Sequence, residues 1–217
     1  MPVTALLFGS IGAIAETSHM QRAAFNAAFR DSGLDWQWDR DEYRELLKSP
    51  GGCKRIADYA TARGQDIDAD AVYARKVAAF QAAVQGGDLA PRDGVVDMVK
   101  AALDRGITIG FVTGTSTAQR DLILNALNDA LPRAVFKYLG HGGRAAKGKP
   151  APDIYLDALA ELDVSAGNAL AIEDTPESAR AALAAGIACV AFPGEDAMDR
   201  DFPDACITAP LTLSLLG

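Results

Sequence analysis

Three loops of this sequence carry groups that can work on a phosphate. In IEDTPES, Glu173 and Asp174 stand side by side. Adjacent carboxylates repel unless a cation lies between them, and Mg²⁺ takes one or two carboxylates plus waters and phosphate oxygens. Asp174 also reads as a helix cap that compensates the helix dipole. In GKPAPD, Lys149 precedes a helix entered through Pro150 and Pro152. A lysine there can neutralise a phosphate, or stand solvated beside the helix start. In TGTS, Thr113 offers a hydroxyl and Gly114 allows close backbone approach, which suits an oxyanion; the same residues read as an N-cap cluster. A further segment, GGCKRI, puts Gly51, Gly52, Lys54 and Arg55 at a helix start. It reads as a second anion contact or as a surface turn with solvated charges, the cations facing the unfavourable end of the dipole. The loop in LLFGSIGAIAETS is different: an apolar run stops at Gly9, and a turn without a reactive side chain follows.

The elements that must position these groups follow from periodicity. VTALLF (3–8) reads as a buried strand. From Thr17 a helical face is formed by Met20, Ala24, Phe25, Ala28 and Phe29, capped by Thr17 or Ser18 and stopped by Gly33. Residues 35–87 give three more helices: one begun by Asp39, one closed by Gly64, one ended by Gly86 and Gly87. The rest alternates: helix 94–105, strand 107–113, helix 117–131, strand 135–140, helix 152–163, strand 169–174, helix 176–186, strand 187–192, and a last short strand at 205–208. This order predicts a parallel sheet with right-handed crossovers. Residues 1–14 and 88–217 form an α/β core, and residues 15–87 an inserted helical cap. In such sheets ligands bind beyond the carboxyl ends of the strands, where the three chemical loops fall.

The bulk properties narrow the partners. The 217 residues hold 29 Asp+Glu against 21 Lys+Arg, a net charge of −8. That disfavours nucleic acid and anionic membrane, yet leaves room for a small anion at a local positive site. Cys53, Cys189 and Cys206 are few, odd in number and far apart, against a disulfide framework or zinc site and in keeping with a reducing, cytoplasmic setting. We find no signal-peptide pattern and no apolar run near the roughly 20 residues that span a bilayer. The sequence carries no signal of oligomeric state.

Taken jointly, the motifs resemble a known group. FNAAFRDSGLDWQWDRDEYRELL and GGCKRIADY look CbbY-like, and GKPAPDIYLDAL and AIEDTPESARAALAAG are typical of the wider branch. Over essentially its whole length the chain resembles the haloacid dehalogenase (HAD) superfamily of phosphohydrolases, in the CbbY and β-phosphoglucomutase-like branch. The resemblance implies a Rossmannoid core with a helical cap and Mg²⁺-dependent hydrolysis of sugar phosphates. In that family the first strand ends in Asp-x-Asp-Gly-Thr: the first Asp attacks phosphorus, and the second serves as acid and base.

Aligning Gly12 with the family glycine puts Gly9 at the nucleophile, Ile11 at the acid/base and Ala13 at the threonine. A one-residue shift brings Ser10 to the nucleophile position but breaks the Gly12 match, and a serine without an adjacent base is a weak nucleophile. Glu16 matches an acidic residue past the loop and is the nearest surviving carboxylate. Gln21 stands where relatives often have His, and His19 is out of that register. The resemblance gives Thr113, Gly114 and Lys149 to phosphate, Glu173 and Asp174 to the metal, and Gly51, Gly52, Lys54 and Arg55 to a substrate contact from the cap. With the first-strand ligands gone, Mg²⁺ is expected to be held weakly or not at all. Lys149, with fewer anionic partners, should leave the pocket more positive.

The reading is a phosphatase by descent, catalytically impaired, that binds a phosphorylated sugar or free phosphate. CbbY-like relatives act on a pentulose bisphosphate. Three alternatives stand beside it: a residual hydrolase with water positioned by Glu16 or Glu173; a protein-interaction module using the charged amphipathic helix DRDEYRELLK; and a nucleotide-binding Rossmann protein, for which the G-x-G-x-x-G spacing is absent.

Overall fold

The computed structural model describes residues 2–48, 51–87, 89–208 and 210–216. The turn expected at Ser49 and Pro50 lies outside them. The chain divides into two compact units: Met1–Glu16 with Leu89–Gly217, and Thr17–Asp88. Glu16 belongs to the first because its Oε2 accepts the Glu195 amide at 2.7 Å.

The helical unit holds α1 (Ser18–Asp31), α2 (Arg40–Leu46), α3 (Gly52–Ala62) and α4 (Ala69–Gly86). Asp39 and Asp68 cap α2 and α4 by accepting the amides of Glu42 and Ala71. Thr17 sits at the N-cap of α1, but its buried side chain makes no capping bond, so the expected cap is positional only. Gly33, at φ +71°, ends α1 in a backbone conformation that glycine adopts without strain. The unit's core is aromatic: Phe25, Phe29, Trp36, Trp38 and Tyr43 pack with Ile56. Asn26 fixes Trp38 by bonding both its amide (2.8 Å) and its carbonyl (2.9 Å).

The other unit is an α/β layer structure. Its strands β1 (Ala5–Phe8), β2 (Thr108–Phe111), β3 (Phe136–Leu139), β4 (Ala169–Glu173) and β5 (Ala188–Ala191) form one parallel sheet in the order β3-β2-β1-β4-β5. β1 and β4 are buried throughout, as continuous apolar runs in a covered sheet must be. β3 exposes Lys137, as suits an edge. Helices α5 (Val95–Asp104), α6 (Thr117–Ala126), α7 (Asp153–Leu162) and α8 (Pro176–Ala184) connect the strands. α7 and α8 bury Tyr155, Ala158 and Ala182 against Ala5, Leu7, Ala169 and Ala171.

Two expected elements change. The helix predicted to reach residue 131 ends at Ala126. Turns follow, and Asn128 turns its side chain to the Arg133 amide, the competition with helix that Asn brings. The strand predicted at 205–208 is reduced to one bridge, Val190 with Ile207. Pro203 and Pro210 flank it and withhold ladder donors.

Candidate functional site

β1 lies between β2 and β4, with Phe8 in register with both Phe111 and Ile172. The loops leaving these three strands therefore start side by side, which brings Gly9, Thr113, Glu173 and Asp174 to one edge of the sheet. Lys149 reaches the same place from the segment before α7: its Nζ donates to the Gly9 carbonyl at 2.6 Å and to Glu173 Oε1 at 2.5 Å.

Glu173 is the centre of this cluster and has no exposed surface. Tyr155, on the first turn of α7, donates its hydroxyl to Glu173 Oε1 at 2.7 Å. Oε2 is buried without a partner. A Cβ at residue 9 would overlap Glu173 Oε1 and the Tyr155 hydroxyl. The room that a side chain at residue 9 needs has been taken by Glu173 and Tyr155. Burial pushes the Glu173 carboxyl up, and the Lys149 ammonium pulls only part of the way back. Burial, with Glu173 beside it, holds the Tyr155 hydroxyl protonated well above its usual range.

With glycine at 9 and isoleucine at 11, Lys149 is still not without an anionic partner: Glu173 pairs with it. Glu173 lies in the space that a side chain at residue 9 would need. The ammonium still has a third donor, because two of its three N–H groups are engaged.

Asp174 is treated in the same way on the neighbouring turn. Its Oδ1 accepts the Ser10 hydroxyl at 2.6 Å, and its Oδ2 lies where a Cβ on residue 12 would stand. Burial raises the Asp174 pKa, opposed by the Ser10 hydrogen bond, Lys149 and Arg92. Arg92 pins the loop: its guanidinium donates to the carbonyls of Gly12 (2.7 Å), Phe192 (2.9 Å) and Pro193 (2.7 Å), and lies over the Phe192 ring. Burial lowers its pKa, and Glu16, Asp174 and Glu195 hold it up. Glu16 thus works within this junction, on the Glu195 amide and near Arg92.

The loops also offer backbone donors. Among the described residues the amides of Ser10, Ile11 and Gly12 donate to no protein group, nor do those of Thr113 and Gly114. Ile11 is half-buried, and its carbonyl accepts from Ile14 and Ala15. Thr113 is buried, with Oγ1 accepting the Thr115 amide at 3.2 Å, so its hydroxyl proton remains to be donated. Gly114 is exposed. Such amides at the mouth of a parallel sheet suit an oxyanion.

A metal needs ligands that converge. Among the described residues no three His, Cys, Asp or Glu side chains gather as a metal set. Glu173 Oε1 already accepts from an ammonium and a phenol. The lone Oε2 and a hydroxyl-bonded Asp174 do not make the near-octahedral oxygen shell of Mg²⁺. The residues present do not fit that ion.

In the helical unit Gly51, at φ +92°, turns the chain into α3, and a Cβ at Gly52 would press on Tyr73 and Phe25. Lys54 is exposed and paired with Asp58 at 2.5 Å. Arg55 is buried, bonds the Leu46 carbonyl at 2.8 Å, and lies near the rings of Phe25 and Tyr43. Lys76 is also buried. It donates to Gln21 Oε1 and lies 4.8 Å and 5.1 Å from the rings of Phe25 and Phe80. Burial, with Arg55 nearby, lowers its pKa to about 8.

Sequence reasoning missed Tyr155, Arg92 and Lys76. Lys76 carried a readable signal: Val72, Lys76, Phe80 and Val84 repeat every four residues on the buried face of α4, so a lysine sits where an apolar residue belongs. Arg92 and Tyr155 carried none, since their partners are distant in sequence.

The haloacid dehalogenase-like hydrolase family model matches residues 4–186. Protein CbbY of Cereibacter sphaeroides is 36% identical over 94% of this chain and 90% of its own length. The plasmid CbbY of Cupriavidus necator is 37% identical over 95% and 84%. The crystal structure of CbbY from Rhodobacter sphaeroides in complex with phosphate superposes with a TM-score of 0.82 at 36% identity, covering 93% of this chain and 91% of that one. A mutant of the same protein in complex with xylulose-(1,5)bisphosphate matches equally. No helix of the described residues is long and apolar enough to cross a membrane. By sequence and by fold, the chain belongs to the haloacid dehalogenase-like hydrolases, in their CbbY and phosphoglucomutase-like branch.

Proposed function

We propose that this member of a phosphatase family binds a phosphorylated sugar or phosphate and does not turn it over through an aspartyl-phosphate. One observation carries the reading: residue 9 at the end of β1 is glycine, and the space for a side chain there is filled by Glu173 and Tyr155. No carboxylate at 9 can attack phosphorus, and Ile11 offers no proton to a leaving oxygen. The anion is met by the open amides of residues 10–12, 113 and 114, the Thr113 hydroxyl and the third N–H of Lys149. Mg²⁺, on which the family generally relies, is weakly held or absent here. The bisphosphate bound by the CbbY mutant favours a sugar bisphosphate as the ligand. The three unpaired cysteines suit a reducing, cytoplasmic setting.

The test compares the purified chain with a Gly9→Asp/Ile11→Asp double variant on sugar phosphates and bisphosphates, with Mg²⁺. Binding is measured by calorimetry alongside phosphate release. The chain is expected to bind without release, and the variant, whose new carboxylates displace Glu173 from beside residue 9 and add metal ligands, to release phosphate. Turnover by the unaltered chain at the variant's rate would refute the reading.

A further inference from the structure

We infer that Glu173 is the internal counter-ion of Lys149, so that this chain excludes a divalent cation from the site and binds phosphate without one. The inference rests on the anion-binding reading for its phosphate part and on geometry alone for its metal part.

Glu173 is fully buried, and a buried carboxylate needs a cation or several hydrogen-bond donors. For Oε1 both come from the protein, Lys149 Nζ at 2.5 Å and the Tyr155 hydroxyl at 2.7 Å, while Oε2 is buried without a partner. Lys149 is fixed from its other side by the Gly9 carbonyl at 2.6 Å. A divalent ion at Oε1 would have to approach a positive ammonium already bonded there, and like charges at such range repel strongly in a poorly solvated site. Asp174 cannot compensate. It is held by the Ser10 hydroxyl, and its other oxygen lies over Gly12. Among the described residues no third carboxylate, histidine or cysteine joins them as a metal set.

The same contact limits the anion. The Lys149 charge is largely cancelled by Glu173, so a phosphate arriving at its third N–H meets a pair that is nearly neutral. Glu173 is thus a positioning residue that sets the charge offered by Lys149. An uncharged isostere would leave the ammonium in place and restore its charge.

Two measurements on the full chain test this. In the first, Mn²⁺ is titrated and its free signal followed by electron paramagnetic resonance. The chain is expected to leave the free signal unchanged, while bound Mn²⁺ at sub-millimolar concentrations overturns the inference without touching the phosphate reading. In the second, inorganic phosphate is titrated by calorimetry into the chain and into Glu173→Gln, each in EDTA and in MgCl₂. Mg²⁺ is expected to leave the affinity of the unaltered chain within about twofold, and Glu173→Gln to bind at least about tenfold more tightly, or about 1.4 kcal/mol. A tenfold gain from Mg²⁺, or a weaker or unchanged Glu173→Gln, overturns the inference. Phosphate that binds none of the samples overturns the anion-binding reading as well. The Mn²⁺ titration needs no variant, so it decides the metal part even if Glu173→Gln fails to fold.

Discussion

Replacing Lys76 by Met should make the protein more stable. Lys76 is 6% exposed, and its pKa falls from 10.5 to about 8. At about 1.36 kcal/mol per pKa unit, the charged form costs the folded state about 3 kcal/mol at pH 7. The rings of Phe25 and Phe80 return part of this through cation–π attraction, about 0.5–2 kcal/mol. Met has a similar shape and no charge, so Lys76→Met should gain about 1–3 kcal/mol at pH 7. The folded chain releases this proton near pH 8, and the unfolded chain keeps it to about 10.5. Between those values unfolding takes up a proton, so the stability of the unaltered chain rises with pH there. The advantage of the variant is therefore full below pH 8, shrinks above it, and is gone past about 10.5. Urea titrations followed by tryptophan fluorescence read this directly, because Trp36 and Trp38 both lie buried in the unit that holds Lys76. A variant less stable at pH 7, or a difference that does not change between pH 7 and pH 10, would refute the reasoning.

Other substitutions probe the rest of the framework. Gly9→Ala should destabilise by about 1–3 kcal/mol, because its methyl overlaps Glu173 and Tyr155; denaturation followed by circular dichroism should show this, with partial recovery on adding Tyr155→Phe, and an unaffected Gly9→Ala would mean the space is open. Arg92→Met leaves three carbonyls without their donor and should lose about 2–3 kcal/mol by calorimetric unfolding; a loss under about 0.5 kcal/mol would show that solvent satisfies them. Asp39→Ala removes the cap on α2 and should cost about 1 kcal/mol in the same tryptophan-detected titration, with no change in phosphate affinity.

The sequence disclosed what repeats and what punctuates. Short apolar runs alternating with helical periodicity gave the strands, and Asp39, Gly33 and Gly64 marked helix ends through capping and positive-φ chemistry that act within a few residues. The end of α6 was hidden because residues 127–131 keep helical periodicity while Asn128 and Asp129 favour turns. The site was half legible. Residue types and loop order pointed to Thr113, Lys149, Glu173 and Asp174. The charge balance among them was not legible, because it depends on where Glu173 turns once Gly9 leaves it room, a contact across 164 residues. Arg92 was silent for the same reason: its partners at Gly12, Phe192 and Pro193 are backbone atoms, which every sequence has.

That last property bears on how such a protein can change. Arg92 grips one main-chain oxygen of the β1 loop, that of Gly12, so this anchor does not depend on the side chains around it. Drift at Gly9 and Gly12 is nonetheless resisted by folding, because any side chain there meets Glu173 or Asp174. The two positions differ. A carboxylate at position 11 takes a half-buried place, whereas one at position 9 must first evict Glu173. Any lineage that places a carboxylate at position 9 must therefore move Glu173 before, or together with, the residue beside it, so the order of mutations is set by a single occupied cavity.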